Sequence, residues 1–117
     1  MEQKIALITG ATSGFGKACA EIFARNGYDL IITGRRTERL EQIAVDLKSD
    51  HHVKVKTLSF DIRDLKSTES ALLSIPEDWK KNISVLVNNA GLAAGRGPIQ
   101  EGSIDDWEQM IDTILVT

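Results

Sequence analysis

The sequence predicts an α/β protein built on a doubly wound parallel sheet, and two observations carry that expectation. Apolar runs of strand length, at residues 4–9, 29–33, 54–60 and 83–87, alternate with stretches in which apolar residues recur at helical spacing. The runs begin 25, 25 and 29 residues apart, a repeat of four βα units. Continuous Ile/Leu/Val strands such as Ile5-Ala6-Leu7-Ile8 and Val85-Leu86-Val87 are apolar on both faces, as in a parallel sheet covered by helices on both sides. The second observation is the glycines: all nine, at 10, 14, 16, 27, 34, 91, 95, 97 and 102, fall at junctions or in loops.

Each intervening stretch supplies a helix. Phe15, Ala18, Cys19, Ile22 and Phe23 follow the i, i+3, i+4, i+7, i+8 pattern and predict one buried stripe on the first helix, which Gly27 ends in a left-handed turn. Leu40, Ile43, Ala44 and Leu47 do the same for the second. The third, from Asp64 to about Ile75, rests on Leu65, Leu72 and Ile75 and is stopped by Pro76. A last helix carries Ile104, Trp107, Ile111, Ile114 and Leu115, with Ser103 and Asp106 spaced as a capping box. Between the fourth strand and that helix lies the longest irregular stretch, residues 91–102.

Composition narrows the class. At 117 residues the chain suits one domain and is too short for a second, substrate-binding one. Cys19 is the sole cysteine, which excludes a disulfide scaffold and a cysteine-based zinc site. No apolar run approaches the roughly 20 residues of a membrane helix, and a strand-like run starts almost at Met1, so neither a membrane span nor a signal peptide is expected. A net charge of −3 is too mild and of the wrong sign for nucleic-acid binding. The charge is uneven: residues 1–40 carry six basic and four acidic side chains, whereas 101–117 carry five acids and no base. A bound anion is therefore expected near the first half.

The stretch Thr9-Gly10-Ala11-Thr12-Ser13-Gly14-Phe15-Gly16 follows the first strand and opens the first helix, where α/β folds bind phosphate. Unpaired N–H groups and the positive helix end favour an anion, and absent Cβ atoms let a pyrophosphate approach the backbone. By analogy with the dinucleotide fingerprint, Gly10 makes the tight turn, Gly14 permits the close approach and Gly16 packs helix on strand, while Thr12 and Ser13 add hydroxyl donors. The spacing is G-x-x-x-G-x-G, neither the common G-x-G-x-x-G nor a P-loop. A glycine-rich turn without a ligand would share the glycines, but not the strand before and the helix after. The second strand ends Thr33-Gly34-Arg35-Arg36, with no acid where an NAD site places one on the adenosine ribose. Two guanidinium groups there suit a 2′-phosphate and argue for NADP.

With Asn88-Asn89-Ala90-Gly91 closing the fourth strand, these motifs make the whole chain resemble the short-chain dehydrogenase/reductase family. The resemblance implies a Rossmann-like fold in which Asp61 and Ile62 contact the adenine, and Asn88, Ala90 and Gly91 line the ribose side. Gly34-Arg35-Arg36 with Glu38-Arg39-Leu40, and residues 88–93 with Asp106-Trp107-Glu108 and Met110-Ile111-Asp112-Thr113, resemble the NADP-dependent serine or 3-hydroxy acid dehydrogenase branch. That likeness implies hydride transfer between NADP and a small hydroxy acid or another secondary alcohol or ketone, a cytoplasmic location, and a homo-oligomer in which Trp107 and Met110 could meet a second copy.

The family works with a Ser, a Tyr and a Lys four residues after the Tyr. The one tyrosine here, Tyr28, has Ile32 at that spacing, so residues 1–117 are expected to be the NADP-binding part of a single domain, with four strands of an incomplete sheet and no catalytic residues. The family's helper Asn after Asp112-Thr113 is replaced by Ile114-Leu115-Val116-Thr117. Either Ile stands for Asn, or residues are missing between Thr113 and Ile114. His51 and His52, in a polar turn without further ligands at suitable spacing, do not make a metal site, and Cys19 is expected in the core. Two rivals are a non-catalytic dinucleotide-binding or redox-sensing module and a sugar-nucleotide epimerase or dehydratase, the latter disfavoured by Asn88–Gly91 and the glycine spacing.

Overall fold

A computed structural model describes residues 3–12 and 14–88. The expected last helix, its capping box, Ser13, Asn89, Ala90, Gly91, Trp107, Met110 and the Thr113–Ile114 junction lie outside the described residues. The elements run β1 (Ile5–Thr9), α1 (Gly14–Arg25), β2 (Asp29–Gly34), α2 (Thr37–His51), β3 (Val55–Ser59), α3 (Leu65–Leu73), α4 (Glu77–Lys80) and β4 (Ile83–Asn88). Among the described residues no helix is long and apolar enough to cross a membrane.

The four strands form one parallel sheet in the order β3-β2-β1-β4. Alternation along β1 divides its side chains between two cores. Ala6 and Ile8 join Leu30 and Ile32 under α1 and α2, packed on Ala20, Ala24, Leu40, Ile43, Ala44 and Leu47. Ile5 and Leu7 join Ile31 and Ile83 on the opposite face, against Leu72, Ile75 and Trp79 of the α3–α4 layer. Helices on both faces make the fold doubly wound, as the strand spacing predicts. The first two crossovers carry the chain outward to β3, and the third returns it to the far side of β1. The strand order therefore reverses between β1 and β4, the place where such sheets open a crevice at their carboxyl ends.

The expected stripe on α1 is corrected. Its buried positions are Gly16, Ala20 and Ala24, spaced four apart, whereas Phe15 is 67% exposed, Ile22 48% exposed and Ala18 also exposed. Cys19 and Phe23 are half-buried at the edge of the core. Residues without bulk let the helix axis sit close to the sheet, and the larger side chains flank the contact instead of filling it.

Helices α2 and α3 follow the sequence closely. Leu40, Ile43, Ala44 and Leu47 form the buried face of α2. On α3, Leu65 is half-buried and Leu72 buried, and Asp64 caps the helix by accepting from the backbone N–H of Lys66 and Ser67. Pro76 does more than stop α3, because it also opens the single-turn α4, which buries Trp79. Gly27 has φ 88° and terminates α1 with Tyr28 N–H bonded to Phe23 O and Gly27 N–H to Ala24 O, a Schellman pair. The Phe23 and Tyr28 rings meet edge to face at 5.0 Å across that turn. His51 is the last residue of α2 rather than part of a following turn, and its Nε2 lies 3.2 Å from Glu21 Oε1.

Candidate functional site

Three loops meet at the carboxyl end of the sheet. Gly10 turns the chain out of β1 at φ 65°, a left-handed conformation that glycine adopts without a Cβ clash. The next residue is anchored: Ala11 is fully buried and its N–H donates to Thr33 O at 2.9 Å, tying the first loop to the end of β2. Gly34 in turn accepts from Phe60 N–H at 3.0 Å, so the ends of β2 and β3 are joined as well. The start of α2 is linked to β3 by a 2.6 Å hydrogen bond between the Thr37 and Ser59 hydroxyls.

Between these loops lies a cleft of about 210 Å³. Gly10 and Thr12 line it from the first loop, Thr33, Gly34 and Arg35 from the second, and Phe60, Asp61, Ile62 and Arg63 from the third. α1 begins beside it with Gly14, where a Cβ would meet nothing within 4 Å, and with no acidic residue in its first turn. Among the described residues neither Arg35 nor Arg36 is held in an ion pair.

The third loop is fixed on both sides. Asp61 O accepts from Asp64 N–H at 2.9 Å, closing a turn. Within it Asp61 Oδ1 accepts from the Arg63 backbone N–H at 3.0 Å and from Arg63 Nε at 3.1 Å, while Oδ2 accepts from an Arg63 terminal nitrogen at 3.0 Å. This fork of charge-assisted hydrogen bonds holds the Asp61 carboxyl down from its ordinary 3.8 to about 2, with the more distant Arg35 adding a smaller pull in the same direction. Just beyond, hydrogen bonds from Ser67, first its hydroxyl and then its N–H, lower the Asp64 carboxyl too. Buried Thr68 reaches back with its hydroxyl to Ile62 O at 3.2 Å.

Of the residues singled out in the sequence, Gly10, Thr12, Arg35, Asp61 and Ile62 line one cleft, although they span more than 50 positions of chain. Ala11 lies beneath it, and Gly14, Phe15 and buried Gly16 form the first turn of α1 beside it. Arg36 stands exposed just before α2, with its backbone carbonyl accepting from Leu40 N–H. Asn88 ends β4 in register with Thr9, next to the strand that feeds the glycine turn. Thr33, Phe60 and Arg63 were not foreseen, and of these Arg63 had a signal: an arginine two residues after an aspartate at a strand end can bond its own turn. Tyr28 immediately precedes β2, at the opposite end of the sheet from the cleft. No group of three His, Cys, Asp or Glu that could hold a metal occurs among the described residues.

Comparison with known proteins shows which family shares this fold. The family model for short chain dehydrogenases matches residues 4–117. A serine 3-dehydrogenase of Agrobacterium fabrum is 48% identical over 107 residues, covering 92% of this chain and 41% of that protein. An NADP-dependent 3-hydroxy acid dehydrogenase of Salmonella typhi is 47% identical over 109 residues, covering 93% and 42%. The solved short-chain dehydrogenase of Sphingobium yanoikuyae in complex with NADPH superposes with a TM-score of 0.68 at 33% identity, covering 95% of this chain and 42% of that one. The chain thus spans about two-fifths of the length of the relatives it matches. With a matching family model over nearly its whole length and the parallel sheet and glycine turn that the family's fold requires, the chain belongs to the short-chain dehydrogenase family.

Proposed function

We propose that this chain is the cofactor-binding part of an NADP-dependent oxidoreductase that moves a hydride between NADP and a small hydroxy acid or another secondary alcohol or ketone. The observation that carries the reading is the convergence of the Gly10 turn, Arg35 and Asp61 on one cleft at the carboxyl ends of the strands. The family relationship and the NADP named for two relatives support it.

The residues present fit a dinucleotide. Open space beside Gly14 and the positive end of α1 suit a pyrophosphate, with Gly10, Ala11, Thr12, Ser13, Phe15 and Gly16 completing the loop. Arg35 and Arg36 would hold a 2′-phosphate through charge-assisted hydrogen bonds. Asp61 and Ile62 would take the adenine, and Asn88, Ala90 and Gly91 the ribose side. When bound, NADP supplies the hydride donor or acceptor; the groups of this chain bind and orient it. The chain spans about two-fifths of the length of its relatives, which supports reading residues 1–117 as the cofactor-binding share of a single domain whose other part acts on the substrate. A homo-oligomer, a cytoplasmic location and a small-molecule substrate, with neither nucleic acid nor membrane as partner, complete the proposal. A non-catalytic dinucleotide-binding module is the alternative, and a Tyr-x-x-x-Lys segment downstream in the parent gene decides against it.

Titration of the chain with NADPH and NADH, read by reduced-nicotinamide fluorescence, tests the cofactor. NADPH is expected to bind at least about tenfold tighter, and the Arg35→Ala/Arg36→Ala variant to lose most of that preference while keeping NADH affinity. Equal affinity for the two before mutation overturns the phosphate reading.

A further inference from the structure

Two consecutive residues at the end of β3 hold the exit of β2. Gly34 is level with Ser59 in the parallel register, and Gly34 O accepts from Phe60 N–H at 3.0 Å. Three residues on, the Thr37 hydroxyl meets the Ser59 hydroxyl at 2.6 Å. Arg35 and Arg36 are the two residues between these anchors. We propose that Ser59 is a positioning residue that sets the preference for NADP: its hydroxyl pins the start of α2 and so presents the two guanidinium groups as one preformed site for the 2′-phosphate. The inference rests on the dinucleotide reading and deepens it.

The geometry carries the argument. Arg36 occupies the N-cap position of α2 in an extended conformation, φ −94° and ψ 97°, and no side-chain bond caps the helix there. Its carbonyl accepts from Leu40 N–H at 2.9 Å, which ties it to the helix that follows. The orientation of that helix end against β3 therefore fixes the path of the arginine turn, and the Thr37–Ser59 bond is what sets it. A turn ordered in advance spares the ligand the cost of ordering it. The gain goes to the cofactor that uses the arginines: NADPH carries a 2′-phosphate, whereas NADH carries a hydroxyl in its place. A second clasp of the same kind lies one helical turn further on, where Thr57 Oγ1 donates to Glu41 Oε2 at 2.6 Å. It joins the same helix to the same strand but holds the chain well past Arg36, so it anchors α2 without shaping the arginine turn.

The test titrates the full chain with NADPH and NADH and unfolds each variant in urea. Ser59→Ala is expected to cut the NADPH-to-NADH preference by about threefold, the scale of one neutral hydrogen bond, with NADH affinity unchanged. Thr37→Val should match it, and the double variant should be no worse than either, since the two ends of one hydrogen bond are non-additive. Thr37→Ser, which keeps the hydroxyl, should retain the preference. Thr57→Val, which breaks the other clasp, should lower the urea midpoint at least as much as Ser59→Ala yet leave the preference in place, which separates positioning from a general loosening of α2. A fall of less than about twofold in Ser59→Ala, additive losses in the double variant, a loss in Thr37→Ser as large as in Thr37→Val, or an equal fall in Thr57→Val would each overturn the proposal while leaving the cofactor reading in place. Equal affinity of the unaltered chain for the two cofactors overturns both. Thr37 and Ser59 are exposed, so their substitution leaves the core intact, and an unchanged far-UV circular dichroism spectrum checks that.

Discussion

Gly34 lies so close beneath Thr12 that a Cβ added at residue 34 would stand 3.0 Å from Thr12 Cγ2, and 3.5 Å from Leu40 Cδ1. The end of β2 is thus fitted against the phosphate-type loop on one side and α2 on the other. Gly34→Ala should push Thr12 outward and disturb the wall of the cleft. Because the side chain of Thr12 can give by a few tenths of an ångström, the stability cost is expected at about 1 kcal/mol, the low end for an overpacked site. NADPH affinity should fall several-fold more than stability explains, and adding Thr12→Ser, which removes the offending methyl, should restore part of it. Fluorescence titration alongside urea unfolding measures both, and undiminished affinity in Gly34→Ala would show that the contact does not shape the site.

His52 ends α2 in the left-handed region at φ 57°, ψ 35°, with its N–H bonded to Lys48 O. It is the single non-glycine with positive φ among the described residues. A side chain is penalised there, so His52→Gly is expected to stabilise the chain by about 0.5–1 kcal/mol, net of the extra freedom glycine gains on unfolding. A urea midpoint that falls in the variant would contradict this.

The acid limb of stability should report Asp61. Its carboxyl titrates near 3.8 when unfolded and near 2 in the fold, so the Arg63 contacts contribute fully above about pH 4 to 5 and are lost as pH drops toward 2. Asp64, lowered by Ser67 and Lys66, loses its cap over the same side of the titration. The fold therefore weakens on acidification, and Asp61→Asn should flatten the decline of the urea midpoint between about pH 5 and 2 without moving its neutral-pH slope. Identical curves for the two proteins would remove the Asp61–Arg63 pair from the account.

Much of this architecture is legible in the sequence because the relevant signals are local. Residues such as Ile5, Leu7, Leu30 and Ile32 sit in unbroken apolar runs, which suffices to specify strands buried on both faces. The positive φ of Gly10 and Gly27 follows from residue type and position at a junction. The glycine turn and Arg35 are readable as separate motifs, Asp61 only through the family resemblance, and parallel pairing of β1, β2 and β3 brings them to one cleft. What escapes is set by packing distance and by short turns. Four residues around Trp79 are too few to show a helical period, so α4 is invisible beforehand. The Arg63 grip on Asp61 depends on a turn whose closure the sequence only hints at.

The inner face of α1 gives the sharpest case, and it can be tested. Periodicity favours the bulky Phe15 and Ile22, yet the fold turns them outward and lays Gly16, Ala20 and Ala24 on the sheet, because a helix carrying small residues approaches a strand layer more closely. Ala20 and Ala24 are 0% and 2% exposed, so there is no room for added methylenes. Ala20→Leu should cost about 1–3 kcal/mol by overpacking, whereas Ile22→Ala, at a half-exposed position, should stay within about 1 kcal/mol. Urea unfolding of the two variants discriminates the faces. If Ile22→Ala proved the more damaging, the helix would be rotated from the orientation described, and the first turn of α1, with Gly14 and the phosphate-type loop, would be rotated with it.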